Sequence, residues 1–242
     1  MTRETVRLLE ADPDLLDGLD AEAAAQARPA VVARVETVEP GEWSPRAEAF
    51  GRRSGFGLLI LEGFLARYVA LGERTCAELL GEGNVLFPWL NDGEFAVAPF
   101  AATFNVLERV RVAVLDAPVA EAMCRWPTVV ANLMTRVMLR SRYLAGHLTL
   151  TQFPRVDRRL LILLWHLGER FGKMTPEGVV VRLPLSHELM GAMIAARRPS
   201  VTTAMGQLEH QGLIVRRGRH EWVLKGEPPG EVRPFPPELA VR

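Results

Sequence analysis

The sequence predicts an α+β chain in three parts: an N-terminal β-roll of jelly-roll type, a long helix, and a C-terminal winged helix-turn-helix. Three observations carry that reading. Residues 28–116 break into short apolar segments separated by turn signals, the pattern of a sandwich, barrel or jelly roll. From Asp116 the hydrophobic period lengthens to that of helices. Near the C-terminus two short amphipathic helices precede a hairpin with a basic tip.

The expected strands are 30–35, 57–61, 64–70, 76–80, 85–90, 95–98, 103–107 and 110–115. Between them stand turn formers: Glu39-Pro40-Gly41, Glu62-Gly63, Leu71-Gly72-Glu73, Gly81 to Asn84, and Asn91-Asp92-Gly93. Pro118 suits the first turn of a short helix ending near Arg125, because its missing N–H would be unpaired there in any residue. Pro127 opens a second helix that reaches about Gln152. Along it Val130, Met134, Val137, Ser141, Leu144 and Leu148 alternate spacings of four and three, a heptad seam that fits a parallel partner helix. Leu133, Val137 and Leu150 mark a neighbouring face that suits the β-domain, and a core helix in a monomer would show similar spacing. After Pro154 an amphipathic helix buries Val156, Leu160, Leu163, Leu164 and Leu167 and turns Arg155, Arg158, Arg159 and Arg170 mostly outward, stopping at Phe171-Gly172. A short strand covers 179–183. The expected domains are therefore a sensor over 1–117, a dimerisation helix region over 118–152, a winged helix-turn-helix over 153–226, and a proline-rich tail over 227–242.

The stretch 186–214 carries the chemistry. Ser186 is a good N-cap, and Glu188 faces the positive end of the helix dipole. That helix stops near Ala195-Ala196, and the next opens at Arg197-Arg198 with Pro199 in its first turn. Val201, Met205 and Leu208 define its inner side; Arg198, Ser200, Thr202, Thr203 and Gln207 face out. Arginine can bond two acceptors on guanine, and hydroxyls can meet base edges or phosphate. The hairpin tip, Arg216-Arg217-Gly218-Arg219-His220, is a basic wing placed for phosphate.

Charge distribution agrees. Net charge is zero, yet residues 1–116 hold 11 basic and 19 acidic side chains, and residues 155–225 hold 12 and 6. An acidic front and a basic back suit a chain whose C-terminal part meets a polyanion. No apolar run of membrane-spanning length exists, and Met1–Asp20 is polar and acid-rich, so a cytoplasmic protein is expected. Cys76 and Cys124 make no cluster and read as two buried thiols; with all five histidines at or beyond His147, neither zinc, iron–sulfur nor haem is expected, and no cofactor is. The histidine-free β-region also excludes a cupin metal site. There is no Gly-x-Ser-x-Gly elbow or phosphate-binding Gly-Lys-Ser/Thr loop, so catalysis is not expected. A ligand- or protein-binding module whose winged helix meets protein would instead call for an acidic or apolar face and a neutral wing.

Residues 183–205, with the core Arg197-Arg198-Pro199-Ser200-Val201-Thr202, and 208–214, Leu-Glu-His-Gln-Gly-Leu-Ile, resemble the Crp/Fnr family of transcription regulators. Leu79 to Leu86 resembles a turn and strand of that family's cyclic-nucleotide-binding-like β-roll, and Val156 to Leu160 the start of its first DNA-domain helix. The likeness spans roughly 28–225, strong at the C-terminal end and loose in the sensor. It implies a homodimer on two-fold symmetric double-stranded DNA, RNA polymerase as a protein partner, and base reading by Arg198, Pro199, Thr202 and Thr203. Phosphate would fall to Ser186, His187, Ser200, Arg216, Arg217 and Arg219. Pro199 stands where many relatives carry glutamate, and Thr203 where a second arginine is common, so a different target sequence follows. Relatives that bind cyclic nucleotides follow a Gly-Glu-Leu-like turn with an arginine for the phosphate. Here Gly93-Glu94-Phe95 is followed by no arginine before Arg109, so cyclic AMP is not the expected effector, and any small-molecule effector is unidentified.

Overall fold

The computed structural model describes residues 4–45, 55–86 and 101–230. The chain divides into two compact units, Met1–Tyr143 and Leu144–Arg242.

The first unit starts with β1 (Thr5–Arg7), α1 (Leu8–Ala11), a 3-10 turn (Pro13–Leu16) and α2 (Ala21–Ala30). Strands β2 (Val32–Val38), β3 (Gly41–Trp43), β4 (Gly57–Glu62), β5 (Leu65–Leu71), β6 (Arg74–Leu80), β7 (Val85–Leu86), β8 (Ala101–Val106) and β9 (Val110–Leu115) follow, then α3 (Ala117–Met123) and α4 (Pro127–Leu150). They form two antiparallel sheets, ordered β1-β2-β9-β4-β7 and β3-β8-β5-β6. Side chains alternate across a strand, and here both faces are used. Leu58 and Ile60 of β4, with Val110, Val112 and Val114 of β9, meet Leu65, Leu80, Phe104 and Val106 in one core. Leu59, Ala113 and Leu115 on the opposite face meet Leu8, Leu15, Met123, Val129 and Leu133 from the helices. A sheet covered on both sides explains why 57–61 and 112–115 read as continuous apolar runs.

The expected strands appear wherever the described residues cover them, with shifted ends. The expected strand at 30–35 is β2, moved two to three residues toward the C-terminus by the helix before it. Asp20 caps α2 by accepting from the Ala23 N–H at 2.8 Å, and the alanine-rich helix runs through Pro29 before β2 begins at Val32. The expected strand at 95–98, the Gly93-Glu94-Phe95 turn and most of the tail lie outside the described residues. Both thiols, expected to be buried, are exposed. Cys76 pairs with Val69 near the tip of the β5–β6 hairpin, beyond the inter-sheet core, and Cys124 follows the last turn of α3.

The second unit contains α5 (Val156–Phe171), β10 (Lys173–Thr175), β11 (Gly178–Arg182), α6 (His187–Met193), α7 (Arg198–His210), β12 (Ile214–Gly218) and β13 (Glu221–Leu224). Its antiparallel sheet runs β10-β11-β13-β12. Leu160, Leu163, Leu164 and Leu167 of α5, Val201, Met205 and Leu208 of α7, and Trp222 are all buried. Among the described residues, no helix is long and apolar enough to cross a membrane, and no cluster of His, Cys, Asp and Glu could hold a metal ion.

Candidate nucleic-acid interface

The two-helix unit is set by its turn. The Ser186 hydroxyl accepts from the Leu189 N–H at 3.0 Å and starts α6. The Gly191 carbonyl accepts from the Ala196 N–H at 2.9 Å, and a Cβ on Gly191 would stand 2.5 Å from the Ala196 oxygen, so the close approach requires glycine. Ala195 takes φ 52, left-handed backbone that reverses the chain between the helices. The carbonyls that α6 leaves unpaired are met by cations and polar rings. Arg159 of α5 donates to the Ile194 and Ala195 oxygens at 2.6 and 3.1 Å, and the His147 ring contacts the Met193 oxygen. Sequence reasoning placed Arg159 on the outer face; its role depends on residues 35 positions away, which helix periodicity cannot show.

The turn then presents α7. Pro199 lies in its first turn, and Val201, Ala204, Met205 and Leu208 are buried. Arg198, Pro199, Ser200, Thr202, Thr203 and Gln207 are exposed. The Thr202 hydroxyl donates to the Arg198 carbonyl at 3.1 Å, and Thr203 to that of Pro199 at 3.2 Å. His187, half-buried in the first turn of α6, brings Nδ1 to 2.8 Å from Thr202 Oγ1. Burial, then Arg216, then Arg198 hold His187 below the ordinary histidine pKa.

In the wing, β12 and β13 pair across a two-residue turn, Arg219-His220. Arg216 Nε donates to the Gly218 carbonyl at 3.1 Å, and Arg217 forms an ion pair with Glu177 between β10 and β11. That arginine holds the Glu177 carboxyl below the usual carboxylate range. Arg219 is exposed. Of the three wing arginines expected on phosphate, Arg217 is therefore engaged within the protein.

The helix α4, whose residues to Tyr143 belong to the first unit, has two faces of opposite character. One is pinned by polar residues four apart. Asn132 donates to the Leu15 and Asp17 carbonyls; Arg136 pairs with Asp12; Arg140 grips both Glu78 oxygens at 2.8 and 2.9 Å and donates to the Val85 carbonyl. Arg67 also reaches Glu78, at 2.8 Å. The other face carries exposed Met134, Val137, Met138, Leu139 and Leu148. Of the expected seam, Met134, Val137, Ser141 and Leu148 are exposed and Leu144 is half-buried. Val130 instead packs partly against the core of the first unit. Met138, missed by the heptad reading, is 70 % exposed, as is Leu148. Elsewhere in the first unit Arg109 is exposed and Arg111 pairs with Glu4 at 2.5 Å.

Residues 158–226 match the Crp-like helix-turn-helix domain family. The regulatory protein CysR of Synechococcus elongatus is 32% identical over 81 residues, 32% of this chain and 39% of that protein, so the match spans well under half of the relative's length. Over most of the chain the fold is that of a CooA mutant from Carboxydothermus hydrogenoformans, with TM-score 0.61, 15% identity and coverage of 93% and 94% of the two chains. FixK2 from Bradyrhizobium japonicum superposes with TM-score 0.60 and 18% identity over 80% of this chain and 93% of its own. Residues 158–226 thus form a domain of the Crp-like helix-turn-helix family, and over most of its length the chain shares the fold of these two solved structures.

Proposed function

We propose that the chain works in the cytoplasm as a homodimer that binds two-fold symmetric double-stranded DNA and regulates transcription there, with RNA polymerase as its protein partner. The observation that carries this reading is the exposed row Arg198, Pro199, Ser200, Thr202 and Thr203 on α7, beside a wing carrying exposed Arg216 and Arg219. Arg198, Pro199, Thr202 and Thr203 read bases, while Ser186, His187, Ser200, Arg216 and Arg219 hold phosphate, joined by Arg217 when its ion pair with Glu177 opens. Catalysis forms no part of this reading. The test is an anisotropy titration with the DNA upstream of its own gene and with scrambled DNA, each at two salt concentrations. Tighter binding to the upstream DNA, persisting at the higher salt, is expected. Absence of binding to either DNA would favour a winged helix that meets protein.

Cyclic AMP is not an effector of this chain, and any small-molecule effector is a different compound. Arg111, one of two cations that could substitute for the missing phosphate-binding arginine, is committed to Glu4. Calorimetric titration with cyclic AMP is expected to give no heat of binding at micromolar protein; micromolar affinity would overturn this.

A further inference from the structure

We propose that His187 is a positioning residue that fixes the hydroxyl of Thr202 as a pure acceptor, so that Thr202 selects a base presenting an amino group, adenine or cytosine. The inference rests on the reading of α7 as the base-reading helix. A threonine hydroxyl has one proton to give and two lone pairs to offer. The proton of Thr202 goes to the Arg198 carbonyl, which can only accept. With that proton committed, we take the Nδ1–H tautomer of His187, whose contact at 2.8 Å then runs from the imidazole N–H to a Thr202 lone pair. One lone pair remains, on an exposed side chain in the second turn of α7.

The major groove presents amino donors at adenine N6 and cytosine N4, and acceptors at guanine O6 and N7 and at thymine O4. A hydroxyl whose proton is committed can receive from the first pair. Facing the second pair, it brings one lone pair against another. A free threonine has no such bias, because its hydroxyl turns to suit either partner. The specificity of Thr202 is thus conferred from α6, by a residue that a positional carry-over assigns only to phosphate. The imidazole's outer nitrogen, Nε2, takes no part in holding Thr202.

Two isosteres separate the roles of the ring nitrogens. Asparagine can place an N–H where Nδ1 stands; glutamine places its amide nearer the position of Nε2. The experiment selects DNA from a library randomised in one half-site, then measures affinity at each single-base variant. It uses the full-length wild type, His187→Asn, His187→Gln and Thr202→Val. The wild type should favour adenine or cytosine over guanine or thymine at one position by about five- to tenfold. His187→Asn should keep that preference. His187→Gln and Thr202→Val should reduce it to about twofold or less, with affinity for scrambled DNA showing that they still fold. Retained preference in His187→Gln, or its loss in His187→Asn, overturns the proposal. So does a discriminating wild type in which Thr202→Val changes preference at no base pair. In both cases α7 still stands as the reader. A wild type that does not distinguish selected from scrambled DNA overturns the base-reading role of α7, and the proposal with it.

Discussion

At the scale of single residues, the wing and the reading helix should fail differently. On the proposed reading Arg198→Ala removes a base contact, so it should cost about 1–3 kcal/mol per half-site and relax preference at one base pair. Arg219→Ala removes a phosphate contact and should weaken all sequences alike, lowering the log–log salt slope by about one. Arg217 is already paired with Glu177, so Glu177→Gln should free it, tighten non-specific binding and steepen the salt slope. Equal loss on selected and scrambled DNA for Arg198→Ala would make that residue a phosphate clamp. A second residue-scale effect concerns pH. Burial, then Arg170 and His147, push the His166 pKa down to about 4 from 6.5. The unfolded chain binds this proton more readily, so stability should be fully present above pH 6.5 and fall as pH drops toward 4. The loss is on the order of 3 kcal/mol. Titrating the imidazole by NMR, with urea unfolding of wild type and His166→Phe at pH 7 and pH 5, checks both points. An imidazole that titrates near 6.5, or the same acid loss in both proteins, would contradict this account. Arg198 and the wing were legible because each lies within a few residues of its own turn signal; Glu177 was not, because its link to Arg217 spans 40 positions.

At the scale of elements, α4 shows where periodicity ends as a guide. Pro127 and the loss of apolar rhythm near Gln152 placed its ends within two residues. Its facing was harder. Two stripes with heptad spacing run along the helix: the expected one through Val130, Met134, Val137, Ser141, Leu144 and Leu148, and a neighbouring one through Met134, Met138, Ser141, Ala145 and Leu148. Local spacing cannot choose between them. Arg136 with Asp12, 124 positions away, and Arg140 with Glu78, 62 away, turn Val130 toward the β-domain and leave Met138 in solvent, and on that ground we propose the second stripe as the pairing face. Burying Met138, Met134 and Val137 against a second copy removes apolar surface from water, the main term in obligate association. Met138→Glu would place a desolvated charge there without a partner. Light scattering should then give the monomer mass for Met138→Glu and the dimer mass for wild type. A dimer that survives Met138→Glu but not Leu144→Glu would restore the original seam. The N-terminal α1 and α2 were legible only in part. The Asp20 cap and the alanine run were readable, but docking of Leu8, Leu9 and Leu15 on the sheet is a long-range result.

At the scale of the whole molecule, association and recognition become one property. A chain with no net charge has little general attraction for DNA, yet residues 155–225 carry 12 basic against 6 acidic side chains. Repulsion from the acidic sensor is screened beyond about 10 Å at moderate salt, so the basic region acts locally. One copy of α7 offers a single arginine and two hydroxyls among the side chains proposed to read bases, which is a small recognition surface. Two copies related by a dyad double it without new side chains, and the second engagement is favoured by its high effective concentration. The two-fold axis then dictates the DNA. Half-site centres should lie about one helical turn, ~34 Å, apart on one face of the duplex. Inserting about 5 base pairs between the half-sites turns the second to the opposite face and should reduce affinity toward that for a single half-site; about 10 base pairs restore the facing. Met138→Glu, which separates the protomers, should bind weakly and show no dependence on spacing at concentrations where wild type does. Hydroxyl-radical footprints of wild type should show two protected patches on one face. If wild type tolerates the half-turn insertion without loss, its two reading helices are not held by a common dyad, and the α4 pairing and the symmetric site are both wrong.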